Sequence, residues 1–401
     1  MQTRLPETLL ATRQGKRADE ILRNCVHCGF CTATCPTYQL LGDELDGPRG
    51  RIYQIKQVLE GANPGPRLQQ HLDRCLSCRS CETTCPSGVA YAELLEIGRA
   101  VTEQRLPRSP MDKFQRYLLR KVLPYPSRFA LLFKTGSLLK GVLPRSLARK
   151  IPVASSSGQW QSSTGDRKIL VLDGCVQSVL TPDVNELASQ VFSRLGIALI
   201  REQKAGCCGA VSQHLSADEE AKQFIRQNID AWWPHIEAGV EAIISTASGC
   251  GLMLHEYAKI MVDDLDYADK AKKISSLVKD PVQILAEMDL SALAIKPTSQ
   301  KIAFHPPCTL QHGMQQSGAV EKILTDLGFS LVDIKDKHLC CGSAGTYSIL
   351  QPELSSKLQE NKLKNLLQDK PDLIVTANIG CQLHLQQGTG VPVKHWLSLL
   401  V

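Results

Sequence analysis

Sixteen cysteines are the residues most able to do chemistry in this 401-residue chain, and they fall into two groups of eight. The first group reads Cys25-x2-Cys28-x2-Cys31-x3-Cys35-Pro36 and then Cys75-x2-Cys78-x2-Cys81-x3-Cys85-Pro86. Successive x2 steps let three thiolates of one short loop converge on one centre. The fourth is expected on a turn of helix, before proline ends the hydrogen bonding of the loop. This spacing holds paired [4Fe–4S] cubanes, the fourth cysteine of each run serving the other cluster. One cluster is therefore assigned to Cys25, Cys28, Cys31 and Cys85, and the second to Cys75, Cys78, Cys81 and Cys35. Structural zinc also takes C-x2-C pairs, but as two pairs across a long gap rather than three successive steps with a terminal Cys-Pro.

The second group is Cys175, Cys207, Cys208 and Cys250, then Cys308, Cys340, Cys341 and Cys381. The offsets between the two sets are 133, 133, 133 and 131 residues, and both contain C-C-G. Such matched spacing marks a tandem duplication with a period too long for a solenoid. Every one of these thiols is expected at or just beyond the C-terminal end of a strand, the edge where open α/β sheets build sites, so the two edges could face a common cleft. Disulfides are disfavoured, because a vicinal Cys207–Cys208 ring is strained and the chain reads as cytosolic. An iron–sulfur cluster, a zinc ion, and thiols with no metal all stay open for this set. His305 and His312 flank Cys308 as candidate ligands or proton carriers, against the plainer reading of hydrogen-bonded structural histidines.

The elements that position these residues follow from periodicity. RIYQIKQVLE over 51–60 places Ile52, Ile55 and Leu59 on one helical face with Gly61 at the end, and 91–101 is helical again. Each later copy reads β–α–β–α–β. In the first, strands are expected over 168–172, 197–200 and 241–245, with helices over 185–195 and 217–238. In the second, strands are expected over 301–304, 329–334 and 373–376, with helices over 319–327 and 354–367. The expected fold class is α plus α/β: an N-terminal α-helical two-cluster module, then a duplicated parallel α/β cysteine-rich module. The division is 1–102, a basic connector and linker over 103–166, and repeats over 167–290 and 291–401.

Composition bounds the rest. With 43% hydrophobic and 21% charged residues, the chain is neither disordered nor coiled coil. No run approaches the ~18–20 apolar residues of a membrane span, and Met1–Leu22 has no secretory apolar region. A cytoplasmic location follows, with attachment to the inner face of the membrane as the peripheral option. Residues 101–150 hold twelve Lys or Arg against Glu103 and Asp112, a net of +10 in a chain of +6. Interleaved with Leu118, Leu119, Val122, Leu123, Phe129, Leu131, Leu132 and Phe133, this stretch is expected to lie on an anionic membrane surface, to dock an acidic partner, or to form a solvated helix pair. No nucleic-acid motif accompanies the charge. Residues 154–166 (ASSSGQWQSSTGD) read as a flexible linker.

The two C-x2-C-x2-C-x3-C-P runs followed by two Cys-x31-Cys-Cys-Gly repeats resemble the cysteine-rich (CCG) family of respiratory iron–sulfur subunits. Strings such as CVHCGFCTATCPTYQLLGDELDGPRGRIYQIKQVLEG, HLDRCLSCRSCETTCPSGV, NIDAWWPHIEAG and CCGSAGTY are similar to the glycolate oxidase (glycolate dehydrogenase) branch. The resemblance implies an electron-transfer subunit without catalytic residues of its own. FAD-containing partner subunits would oxidise glycolate, and often D-lactate, while electrons pass through two [4Fe–4S] clusters toward the quinone pool or another non-oxygen acceptor. Equivalent subunits of glycerol-3-phosphate or D-lactate dehydrogenases, and a thiol-redox enzyme of heterodisulfide-reductase type, are the alternatives. No G-x-G-x-x-G fingerprint occurs, which agrees with FAD being held elsewhere. In heterodisulfide-reductase-type members each repeat ends in C-x2-C and helps hold a non-cubane cluster. Here the ends are Cys250-Gly-Leu-Met253 and Cys381-Gln-Leu-His384. Met253 is a poor ligand, so His384 joins the eight later cysteines as the candidate second site.

Overall fold

The computed structural model describes residues 1–141, 151–152, 154–156, 160 and 165–401. The first module is helical. Helices Arg13–Asn24, Pro48–Leu59, Pro66–Asp73 and Tyr91–Arg105 enclose Ile21, Leu22, Ile55, Leu59, Leu72, Leu94 and Leu95. Proline opens helices at Pro36, Pro48 and Pro66, where its missing N–H costs nothing. Pro36 therefore starts a helix after Cys35, whereas a helix ending at the cysteine was expected; Pro86 sits in a turn. Gly98 lets helix Tyr91–Arg105 cross closely over Pro48–Leu59, since a Cβ there would stand 2.6 Å from Ile55.

Each repeat is a parallel four-stranded sheet. The first contains β1 (Arg167–Val171), β2 (Ile197–Arg201), β3 (Ala242–Ile244) and β4 (Val278–Lys279) in the order β2-β1-β3-β4. The second contains β5 (Lys301–His305), β6 (Ser330–Leu331), β7 (Leu373–Thr376) and β8 (Val393–His395) in the order β6-β5-β7-β8. The fourth strand of each sheet is a correction to the sequence reading, because two or three residues are too short to show any period. β6 is likewise shorter than the stretch 329–334 expected for it.

The two repeats share a core. Ile169, Val171 and Phe192 of the first pack in one apolar cluster with Ile302, Phe304 and Trp396 of the second. Where the C-terminal strand edges of the two sheets meet, they are hydrogen-bonded to each other, so that contact is not the open cleft expected. Ser248 N–H donates to the Ala377 carbonyl at 3.1 Å, and Gly249 N–H to Asn378 Oδ1 at 3.4 Å.

His395 closes the same seam. Its Nε2 lies 2.8 Å from the Thr246 carbonyl and its Nδ1 accepts from Leu397 N–H at 3.3 Å, so the ring is a neutral donor and acceptor. Burial lowers its pKa to about 4. A depressed pKa gives stability that is complete above the unfolded value near 6.5 and is lost as pH falls toward 4. The loss is about 3 kcal/mol at most. Urea midpoints of the wild type and of His395→Gln, measured from pH 7.5 to 4.5, should converge at low pH; parallel curves would refute this role.

The connector splits into two uses. Arg108 and Arg116 pair with Asp73 (2.7 and 3.3 Å), and Arg120 and Lys121 pair with Glu220 of the first repeat. Much of the +10 charge is thus spent inside the chain, tying the helix Pro110–Val122 to both modules. The described residues of 154–166 are also anchored, contrary to a flexible linker. Ser155 N–H donates to the Leu180 carbonyl, and Trp160 stacks under Arg201 at 5.0 Å. Arg145, Arg149 and Lys150, also part of the basic stretch, lie outside the described residues.

Candidate metal centre

Two loops of the helical module curl in the same way. His27 (φ 57°) and Gly29 (φ 87°) in the first run match Ser77 (φ 52°) and Arg79 (φ 61°) in the second. Left-handed residues between the cysteines turn each loop inward, and three of the four are not glycine. Each such residue costs on the order of 1 kcal/mol, a strain typical of functional loops. A Cβ at Gly29 would meet only the flexible end of Arg49, so its positive φ is what favours glycine there.

The curled loops gather thiols around two adjoining cavities. One, of about 430 Å³, is lined by Cys25, Cys28, Cys31 and Cys85 with Val26, His27 and Arg49. The other, of about 300 Å³, is lined by Cys35, Cys75, Cys78 and Cys81 with Thr37, Arg51 and Arg79. Pro48, Cys81 and Tyr91 border both. Apart from Cys81 on the shared wall, the outer cavity draws three cysteines from the first run and Cys85 from the second, and the inner one draws Cys75, Cys78 and Cys81 from the second run and Cys35 from the first. Four sulfurs facing one space, twice over, fit the donor set of a cubane.

The thiols are built to be held by a cation. Burial pushes Cys31 up to about 11 and Cys78 and Cys81 further, so without iron they are neutral. Backbone N–H groups of His27, Arg49 and Ser80 point at Cys25, Cys31 and Cys78, and the Tyr91 hydroxyl donates to Cys75 Sγ at 3.6 Å. Such hydrogen bonds to sulfur raise a cluster's potential.

Beneath the second cavity lies an ionic network that was missed in the sequence. Arg51 is 1% exposed and Asp46 fully buried. Arg51 Nη2 lies 3.3 Å from Asp46 Oδ1, while Arg74 and His71 reach the same carboxylate at 2.8 and 3.0 Å. Burial opposes the charge of Arg51, but Cys75, Tyr91, Cys35 and Asp46 outweigh it and hold its pKa up. The available signal was position: Arg51 stands one turn before Ile55 on the buried helix face.

The two cavities differ in exposure. Cys28 is exposed, with Val26 (68%) and Phe30 (61%) beside it. Cys78, in contrast, packs with Leu40 and Leu76 against Cys308, Cys340, Tyr347, Leu354 and Leu358 of the second repeat. Thr83 and His312 Nδ1 meet at 2.9 Å across the same boundary, and His312 Nε2 lies 2.9 Å from the His338 carbonyl. His312 thus takes the plainer role of a hydrogen-bonded strut.

The later cysteines form two separate sets, with no disulfide among the sixteen. In the first repeat Cys175 and Cys207 sulfurs are 3.6 Å apart, and hydrogen bonds from Cys207 and Cys250 lower the pKa of Cys208. Phe224, Ile225, Trp232 and Met253 enclose them. In the second repeat Cys308 and Cys340 are 3.9 Å apart, and Cys341 lies beside Cys381. His384 is next to them, with Nε2 3.4 Å from Ser355 Oγ. The imidazole in ligating range is another one: a nitrogen of His305 and the sulfurs of Cys341 and Cys381 lie within 4.8 Å of one another.

Comparison with known proteins agrees with this architecture. Residues 21–89 match the 4Fe-4S dicluster domain, and residues 169–255 and 302–386 match the cysteine-rich domain, CCG. The chain is 51% identical to the glycolate oxidase iron-sulfur subunit of Escherichia coli (strain K12), over 100% of this chain and 98% of that protein. It is 30% identical to the probable glycolate oxidase iron-sulfur subunit of Bacillus subtilis (strain 168), over 93% and 90%. Lactate utilization protein A of Oceanobacillus iheyensis is 25% identical over 58% of this chain and 96% of its own length. Two [4Fe–4S] clusters are accordingly the cofactors of the helical module. With full-length identity, a dicluster module and a duplicated cysteine-rich module in the same order, this chain belongs to the family of glycolate oxidase iron–sulfur subunits.

Proposed function

We propose that this chain is the non-catalytic electron-transfer subunit of a flavin-dependent glycolate dehydrogenase. A FAD-bearing partner subunit oxidises glycolate, and D-lactate, to the 2-oxo acid, and a quinone-type acceptor receives the electrons. The observation that carries this reading is the pair of adjoining four-thiol cavities, one with Cys28 exposed and the other with Cys78 packed against the second repeat. When bound, the two cubanes supply one-electron steps, which a two-electron flavin needs to discharge. Cys25, Cys28, Cys31 and Cys85 hold one, and Cys75, Cys78, Cys81 and Cys35 the other, within a module spanning 1–102. The connector 103–166 and the repeats 167–290 and 291–401 complete the division of the chain.

The chain's own residues support this direction. Val26, Phe30 and Tyr53 (47% exposed) form an apolar rim at the open cavity, suited to docking the flavoprotein. Leu76, Cys78 and Tyr347 exclude water on the inner side. Among the described residues no helix is long and apolar enough to cross a membrane. Exposed Met111, Phe114, Leu131, Leu132 and Leu138, with Lys113 and Lys134, suit peripheral contact with the cytoplasmic leaflet, close to a quinone.

In the complex with its flavoprotein, anaerobic glycolate should bleach the visible iron–sulfur absorption. Phe30→Glu should slow that reduction at least ~10-fold with iron content unchanged, as loss of an apolar anchor predicts. Clusters that glycolate cannot reduce in the intact complex would overturn the reading.

A further inference from the structure

The second repeat contains a donor set that the first lacks. His305 ends β5, at the C-terminal edge of the sheet, and Cys381 opens the helix Ile379–Gly388 that follows β7. Cys341 lies in the loop between them in space. A ring nitrogen of His305 and the sulfurs of Cys341 and Cys381 are mutually within 4.8 Å, and all three side chains are buried. Both ring nitrogens of His305 lack a hydrogen-bond partner, although the residue is only 1% exposed. An orphaned imidazole in that position costs on the order of 1–3 kcal/mol for each unmet polar group. Something absent from the polypeptide must satisfy it.

Strand register shows that this is not a general property of the repeat. β1 pairs Ile169 with Ala242, and β5 pairs Ile302 with Leu373, so the copies superpose at Ile169 and Ile302. Three residues on, His305 takes the place of Leu172, which sits in the apolar core beside Cys175, Cys207 and Cys208. The first repeat has both matching thiols, Cys208 and Cys250, but Leu172 at the position of the imidazole.

We propose that the second repeat binds a single zinc ion through His305, Cys341 and Cys381, a site separate from the two cubanes. The inference rests on the iron–sulfur reading only for those cubanes. One nitrogen and two sulfurs are zinc's donor set, and bond lengths near 2.0 and 2.3 Å put tetrahedral donors about 3.5–3.8 Å apart. The set therefore needs to contract by about 1 Å. Zn²⁺ with two thiolates and a neutral imidazole is uncharged, which suits a pocket walled by Ala303, Ile334, Leu363, Ile374 and Leu385. Asn378 Nδ2 donates to Cys381 Sγ at 3.6 Å, the outer contact that orients a ligating sulfur. Binding displaces the thiol protons of Cys341 and Cys381 to solvent.

The test uses the full chain, purified anaerobically with its cubanes, and reads metal content and zinc-edge X-ray absorption. The expected result is about one zinc beside about eight iron per chain, with a zinc shell of sulfur and nitrogen. His305→Leu, which installs the residue of the first repeat, should lose at least ~80% of the zinc and keep the iron; Cys381→Ser should do the same. Eight iron with no zinc, zinc unmoved by both variants, or about twelve iron with no zinc would each overturn the proposal. Iron well under eight would instead strike the cubane reading, while the zinc count still decides this one.

Discussion

Cys35→Ser is expected to empty the inner cavity and leave the outer one loaded, although Cys35 lies in the first cysteine run. Its sulfur shares a cavity with Cys75, Cys78 and Cys81, and Cys85 shares the other with Cys25, Cys28 and Cys31. Each single substitution should therefore lower iron from about eight to about four per chain. Reduction by glycolate through the assembled complex should fall at least ~100-fold on to the acceptor, because tunnelling past a missing relay is slow. The pairing is read by EPR. Cys35→Ser and Cys78→Ser should lose the same signal, and Cys85→Ser and Cys28→Ser the other. If Cys35→Ser instead matched Cys28→Ser, each run would serve its own cluster and the crossed arrangement would be wrong.

Arg51 should matter nearly as much, and in two separable ways. Asp46 is fully buried and is held by Arg51, Arg74 and His71. Removing one partner of such a network leaves charge uncompensated in a low-dielectric site and costs about 3–5 kcal/mol. Arg51 also lines the inner cavity, where its positive charge favours the extra electron of a reduced cluster. Arg51→Met should thus lower the midpoint potential of that cluster. At about 8 Å and an effective dielectric near 20, a unit charge contributes roughly 2 kcal/mol, on the order of 100 mV per electron. The sign is fixed: losing a cation makes reduction harder. Arg49→Gln at the exposed outer cavity is the comparison, with its charge screened by solvent and paired to Glu44 at 2.6 Å. Equal potentials in wild type and Arg51→Met, from redox titration followed by EPR, would remove Arg51 from the account.

The division between the outer and inner cavity also explains why the connector carries so much charge. Arg108, Arg116, Arg120 and Lys121 are bound to Asp73 and Glu220, so they fix the helical module against the first repeat. Cys78 meets Cys308 and Cys340 of the second repeat on another side of the same module. Only the remaining cations and apolar residues of that stretch are free to meet a surface.

The sequence alone determined whatever short-range spacing controls. Three cysteines at x2 steps must converge, whatever surrounds them, and a 133-residue offset repeated three times can only be a duplication. Helices and the longer strands were legible for the same reason, since apolar side chains recur at the period of the backbone. Tertiary structure decided the rest. β4 and β8 have two and three residues and exist only because a neighbouring strand offers them hydrogen bonds. Arg51 and Asp46 are ordinary charges in sequence, and their burial follows from helices packing around them. His384 was the histidine that motif comparison favoured, yet β5 delivers His305 to Cys341 and Cys381. Spacing along a chain fixes neighbours within a loop. Which strand end meets which loop across a sheet is set by register and packing, and that is where the inner cavity and the histidine–thiolate set were made.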